Sequence, residues 1–68
     1  MKKFSPDGRF LGGIPQWQAR NEIRIFDVNT NQILKRDLAA NQAVVSFTVL
    51  PDASVFCSDQ NGNLYHLK

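Results

Sequence analysis

The chain has 68 residues, and eight Lys and Arg against six Asp and Glu give it a formal net charge of +2. A domain of this size buries only about 60% of the surface that its unfolded chain exposes, so the core is marginal. One cysteine and one histidine exclude an intramolecular disulfide and a zinc site made of Cys and His alone, so we expect stability to come from association or from a larger protein.

The first predicted element is the stub of a strand at Phe4, which a tight turn follows at once. The turn is Ser5-Pro6-Asp7-Gly8, with serine, proline and glycine at the positions where a type I β-turn favours them. Strands should flank such a turn, so Arg9 to Ile14 is the second predicted strand. A polar and irregular stretch then runs from Pro15 to Asn21.

The clearest strand follows, because Glu22 to Val28 is rich in β-branched and aromatic residues. Asn29-Thr30-Asn31 is predicted to be a hairpin loop in which Asn31 takes a left-handed conformation. Gln32 to Leu38 would then return antiparallel. An alternative stays open, since Gln32 to Val45 is full of good helix formers, although its apolar spacing favours strands.

The rest of the chain repeats the pattern of strands and turns. Ala43 to Leu50 is a mostly apolar run that is typical of a buried strand, and Leu50-Pro51-Asp52-Ala53 is predicted to be a turn. Two further strands, Ser54 to Ser58 and Asn63 to Leu67, flank a polar loop from Asp59 to Gly62. The sequence therefore predicts seven short strands and an all-β fold.

Two parts of the chain also repeat in sequence. Phe4 to Gly13 aligns with Val49 to Ser58 at an offset of 45 residues, as the two Pro-Asp pairs show (51 − 6 = 45). Ile23 to Phe26 aligns with Leu64 to Leu67 at an offset of 41 (64 − 23 = 41), which places four extra residues in the loop of the first copy. A period of about 45 residues with four strands is the spacing of one β-propeller blade.

The segments SPDGRFL, NEIRIFDVNTNQIL and PDASVFCSDQNGNLYHL resemble the WD-repeat β-propellers over most of the chain. Phe26-Asp27 stands where that family has Trp-Asp, and Asn61-Gly62-Asn63-Leu64 resembles its turn into the third strand. The chain departs from the family pattern near Ala40-Asn41, where the Gly-His pair is absent, and at Lys68, which aligns with the aspartate. Propellers with YVTN repeats and those resembling TolB share the same turn and rhythm, so the subfamily is left open.

The resemblance implies that residues 1–68 form a partial propeller of antiparallel blades, the first at about 4–38 and a second, partial one at about 43–68. A lone pair of blades would expose the faces meant for neighbours, so we expect a fragment or subunit of a larger propeller. The implied function is protein–protein interaction or scaffolding, with a protein partner, further blades or self-association as the partner. Structural turn positions are expected at Pro6, Asp7, Gly8, Asp27, Asn31, Pro51, Asp52 and Gly62.

The loop from Pro15 to Asn21 carries the predicted interaction residues, namely Trp17, Gln18 and Arg20, because Trp and Arg are over-represented at binding hot spots. The alternative is that Trp17 folds back over the rim of its own blade.

No motif predicts a catalytic residue, a cofactor or a metal. Asp27 has no second carboxylate or histidine at a recognisable spacing, and nothing basic adjoins Cys57 to activate it. We therefore predict no enzyme activity. The competing hypothesis is a propeller that binds a small ligand or catalyses a reaction in its central channel, with Asp27, Asp59 or His66 taking part.

The remaining exclusions concern location and partners. Charges of both signs are interspersed, unlike the clustered basic face of a nucleic-acid-binding protein. The turn at Ser5 to Gly8 stands where a secretory leader would be apolar, and the longest aliphatic run, Ala43 to Val45, is far shorter than the roughly 20 residues of a membrane span. We therefore predict a cytoplasmic protein without a nucleic-acid or membrane partner.

Overall fold

A computed structural model describes residues 2–15 and 20–68 of the chain. These residues form seven strands and no helix, which confirms the all-β prediction and excludes the helical alternative for residues 32–45. Within the described ranges no helix is long and apolar enough to cross a membrane. The strands are β1 (Lys2–Phe4), β2 (Phe10–Gly13), β3 (Glu22–Asp27), β4 (Gln32–Asp37), β5 (Val44–Val49), β6 (Val55–Asp59) and β7 (Leu64–Leu67).

The strands form two antiparallel sheets in which sequence neighbours pair. Sheet A has the order β1-β2-β3-β4 and sheet B the order β5-β6-β7. Each sheet is a simple meander, and the connections at residues 5–9, 28–31, 50–54 and 60–63 are short and carry turn residues. The Leu38 amide donates to the Asn21 carbonyl at 2.9 Å and extends the pairing of β3 with β4, whereas the Val44 amide of β5 donates to the Arg20 carbonyl at 2.9 Å and links the two sheets.

The core lies between the sheets, and we call the face that each sheet turns towards the other its inner face. Strand alternation places Phe10, Ile23 and Ile25 on the inner face of sheet A. The side chains of Phe47 and Val49 meet them from sheet B. The outer face of each sheet carries the alternate residues, which are more exposed.

A glycine in β2 sets how closely the two sheets approach. A β-carbon at Gly12 would lie 2.6 Å from Cγ2 of Val49 and 2.7 Å from Cε2 of Phe47. Both distances are well below van der Waals contact, so the ring and the methyl group occupy the space that any larger residue would need. The bare backbone of Gly12 is therefore the recess into which sheet B packs.

The repeat is offset differently from the sequence alignment in the third strand of each sheet. Phe10 pairs with Asp27 and its equivalent Val55 pairs with Leu67, so the offset there is 40 (67 − 27 = 40) rather than 41. Leu67, not Lys68, therefore stands at the position of Asp27. The loop of the first copy is accordingly longer by five residues (45 − 40 = 5), not four.

The reason for this correction is the two-residue period of a strand, in which a slip of one residue exchanges the two faces. An offset of 41 would match the buried Ile25 with the exposed His66. The offset of 45 fails in the same way in the first strands, since Phe4 is exposed whereas Val49 is fully buried. Because these strands carry apolar residues on both faces, a sequence alignment does not show which residues face the core.

Candidate protein-interaction surfaces

The predicted interaction loop is described only at its end. Trp17 and Gln18 lie outside the described residues, so their role stays a prediction. Arg20 is exposed in the turn before β3. The Arg20 carbonyl accepts the Val44 amide at 2.9 Å, so the main chain of Arg20 joins the two sheets.

Asp7 organises the first turn. Its Oδ1 accepts the Ser5 hydroxyl at 2.6 Å and the Arg9 amide at 3.1 Å. The Ser5 hydrogen bond and then the Arg9 amide hold the pKa of Asp7 below its usual value. The Gly8 amide donates to the Ser5 carbonyl at 2.9 Å, with φ at 76°, a conformation that glycine adopts without steric cost. Pro6 is exposed beside them.

Asp27 ends β3 as a buried carboxylate that serves the following loop. Its Oδ1 accepts the Asn29 amide at 2.9 Å, and its Oδ2 lies 3.2 Å from Nη2 of Arg9. Burial alone would raise the pKa of Asp27, but the bonds from Arg9 and Asn29 outweigh it and the pKa lies below the usual value. Asn31 closes the loop in the left-handed region with φ at 61°, and its amide donates to the Asp27 carbonyl.

The second Pro-Asp turn has the same construction with a different residue at the left-handed position. Ala53, with φ at 70°, stands where the first turn has glycine, and its amide donates to the Leu50 carbonyl at 2.9 Å. Asp52 accepts the Ser54 hydroxyl at 2.6 Å and the Ser54 amide at 3.0 Å. These two bonds are the main cause of the lowered pKa of Asp52. Pro51 is exposed.

His66 lies close enough to Ser54 to invite comparison with a nucleophilic serine. Nε2 of His66 is 3.0 Å from Oγ of Ser54, and the imidazole stacks on the Phe56 ring with centroids 4.3 Å apart. A serine hydroxyl has one proton to donate, and here that proton goes to the carboxylate of Asp52. With that proton directed at Asp52, Nε2 of His66 donates to Oγ of Ser54, and the three side chains form a hydrogen-bonded cluster beside the second Pro-Asp turn.

Among the described residues Asp59 accepts four hydrogen bonds at the end of β6, whereas the sequence placed it in a polar loop and as a candidate of the competing hypothesis. It accepts the amides of Asn61 and Asn63 at 2.9 Å each, the Asn63 side chain at 3.1 Å and the Tyr65 hydroxyl at 2.9 Å. Burial would raise the pKa of Asp59, but these bonds, led by Asn63, lower it. The signal in the sequence was the spacing of aspartate, asparagine and glycine, typical of an Asx-turn. Gly62 completes it with φ at 83°.

Cys57 is buried on the inner face of sheet B. Burial and then the neighbouring carboxylate of Asp59 raise the pKa of the thiol. A thiol with a raised pKa carries little thiolate, and Cys57 packs in the core between the sheets.

The outer face of sheet A is an apolar row that crosses four strands. Phe4 pairs with Leu11, Leu11 with Phe26, and Phe26 with Ile33, so these four side chains lie side by side. The two ends of the row are strongly exposed, Phe4 at 62% and Ile33 at 68%. A depression of about 170 Å³ opens beside the row. Large apolar side chains grouped in this way on a sheet face are typical of an interaction surface.

The outer face of sheet B is smaller, because the sheet has three strands rather than four. Phe56 is 50% exposed and Leu64 is 83% exposed, and hydroxyl groups lie between them. A shallow depression of about 250 Å³ runs beside these residues. Both sheets therefore carry large exposed apolar side chains on the face that points away from the core.

Comparison of the chain with protein-family models, with curated proteins and with solved structures found no match. Among residues 2–15 and 20–68, no group of three or more His, Cys, Asp or Glu side chains is arranged to hold a metal ion.

Proposed function

We propose that the chain is a non-catalytic protein-interaction segment of a WD-repeat-like β-propeller, in which its sheets are consecutive blades and its open faces receive neighbouring blades. One observation carries the proposal. Two antiparallel meanders pack face to face in chain order, and each leaves an outer face with large exposed apolar side chains.

The interface between the two sheets indicates what such a face accepts. Sheet B fills the recess at Gly12 with Phe47 and Val49, an aromatic and a β-branched residue on neighbouring positions of one strand face. The row from Phe4 to Ile33 on the outer face of sheet A offers the same apolar chemistry, and it lies beside a row that carries Lys2, Arg24 and Lys35. A second sheet with β-branched and aromatic side chains is therefore the partner that this face fits, by continuity with the packing inside the chain.

The loop that contains Trp17, Gln18 and Arg20 keeps its place in the proposal as a contact for a protein partner. The exposure of Arg20 is compatible with that role.

The face proposal is tested with the Ile33→Lys variant, because Ile33 is 68% exposed at the end of the row and makes little contribution to the core. Sedimentation of the purified chain at rising concentration should show association, and Ile33→Lys should lower its equilibrium constant at least about tenfold, since burying a lysine in place of isoleucine opposes contact. Val28→Lys is the matched control, since Val28 is 41% exposed but lies in a loop outside both faces.

Val28→Lys should sediment as the unaltered chain does. The face proposal would be wrong if Ile33→Lys and the unaltered chain behaved alike at every concentration. It would also be wrong if both lysine variants reduced association equally, because the effect would then follow net charge rather than the row of sheet A.

A further inference from the structure

We infer that β7 is a docking edge for a second copy of this chain, with the two β7 strands paired antiparallel about a two-fold axis at Tyr65. This contact uses the edge of sheet B rather than a sheet face, so it does not depend on the proposed function.

The first step concerns which backbone groups β7 leaves free. The Asn63 carbonyl accepts the Asp59 amide at 3.1 Å, and the Ser54 carbonyl accepts the Leu50 amide on the other side of β6. Residues alternate in an antiparallel ladder, so Tyr65 and Leu67 direct their backbone groups to β6. Leu64 and His66 therefore direct theirs away from the sheet, where β7 has no neighbour among the described strands.

The second step is that the other three edges carry features that discourage pairing, whereas β7 carries none. Strand β1 has three residues, two of them lysine, and β4 ends in Lys-Arg-Asp. Strand β5 is interrupted between Val44 and Ser46, and its Val44 amide is already bonded to Arg20. Short length, charge and irregular register are the usual protections of an edge. The sequence LYHL in β7 contains no Lys, Arg, Asp, Glu or Pro.

The third step is that β7 is complementary to itself. A two-fold axis normal to the sheet and midway between the two Tyr65 residues sets Leu64 opposite the partner's His66, and His66 opposite the partner's Leu64. Each of these pairs can exchange two hydrogen bonds, so the four outward backbone groups of each copy are all satisfied. The three strands of sheet B and the three of the partner copy then form one continuous six-stranded sheet.

The side chains agree with this register. Leu64 and His66 both lie on the outer face, and the axis keeps that face on the same side in both copies. The partner's Leu64 would therefore cover the imidazole of His66, which already stacks on Phe56. The most exposed large apolar side chain of the described residues, Leu64 at 83%, would lose its exposure without any unpaired charge entering the contact.

The test uses Leu64→Pro, because the Leu64 amide points away from β6. Proline at that position removes one outward donor from each copy and leaves the ladder to β6 intact. Losing two of the hydrogen bonds between the copies should weaken the dimer roughly 30-fold. Leu64→Thr is the matched control, since it keeps the donor and a strand-favouring residue. It should dimerise more strongly than Leu64→Pro, and far-UV circular dichroism should show that both variants keep their strands.

A second measurement does not depend on any variant. Hydrogen exchange of the unaltered chain is compared between about 10 µM and about 1 mM, the range in which small interfaces become populated. The amides of Leu64 and His66 should slow at least about tenfold at the higher concentration, whereas the Lys35 amide of β4 should not. In a mixture of isotope-labelled and unlabelled chains, Leu64 should also contact His66 of the other copy.

Each outcome separates the edge from the faces. Association that Leu64→Pro leaves unchanged and Ile33→Lys removes would overturn the edge inference and support the face proposal. A dimer that forms in Ile33→Lys but not in Leu64→Pro would support the edge inference and overturn the face proposal. If the exchange rates of the Leu64 and His66 amides did not change with protein concentration, the edge inference would be overturned, whatever the variants do.

Discussion

The substitution Gly12→Ala measures how closely the two sheets approach. Its new methyl group would lie 2.6 Å from Val49 and 2.7 Å from Phe47, so one sheet must shift or a side chain must leave its rotamer. Overpacking of this kind costs about 1–3 kcal/mol. Alanine also lowers the entropy of the unfolded chain, which returns about 0.4–1 kcal/mol, so the middles of the two ranges give an expected net loss of about 1.3 kcal/mol. A domain of this length has a total stability of only roughly 3–10 kcal/mol.

The assay is urea unfolding followed by far-UV circular dichroism. With a slope of about 1 kcal/mol per molar for so small a protein, the urea midpoint should fall by about 1.3 M. The Val49→Ala background should reduce the cost of Gly12→Ala, because it removes one of the two colliding groups. Gly8→Ala is the control: nothing lies within 4 Å of its β-carbon, so its cost comes from the backbone and should be the same in both backgrounds.

A Gly12→Ala variant as stable as the unaltered chain would refute the close approach of the two sheets. If the loss of stability caused by Gly12→Ala were the same with Val49→Ala, the new methyl group would not collide with Val49.

Three further predictions concern single groups. Asn31 holds φ at 61° in an exposed loop, so Asn31→Leu should lower the unfolding free energy by about 1 kcal/mol, whereas Asn31→Gly should not lower it; equal urea midpoints for the two variants would contradict this. The pKa values of Asp27 and Asp59 lie below the ordinary 3.8 in the folded state. The stabilisation that these carboxylates give the folded state is therefore present above pH 3.8 and is lost as the pH falls through their folded pKa values. The melting temperature should drop on acidification below pH 3.8, and it should drop less steeply in Asp59→Asn. Cys57 should react with iodoacetamide about two orders of magnitude more slowly in the folded chain than in urea, and equal rates would show that the thiol is not buried.

The strands were predictable because their signals are local. Pro-Asp pairs, Asn31 and Gly62 mark turns, and β-branched or aromatic residues fill the runs between them. Each predicted strand overlaps an observed one within two residues at the ends. Residues Gln32 to Leu38 include good helix formers, yet six residue pairs join β4 to β3. This strand pairing overrides the intrinsic helix propensity of the segment.

The candidate surfaces were less predictable, for a reason that Leu64 and Leu67 illustrate. Both are leucines of one short strand, yet Leu64 is exposed and Leu67 is half-buried. A strand with apolar residues on both faces gives no hint of which face is covered. The sequence alignment therefore slipped by one residue there, and with it the equivalence of Asp27 and Lys68 was wrong.

Local chemistry in the sequence determined the number of strands, their order and their turns, because a β-turn or a β-branched run acts over a few residues. The tertiary structure alone decided which face of each sheet is buried and that Gly12 is the recess between the sheets. These features depend on groups far apart along the chain that meet only when the sheets pack, and a period of two leaves both faces equally eligible until they do.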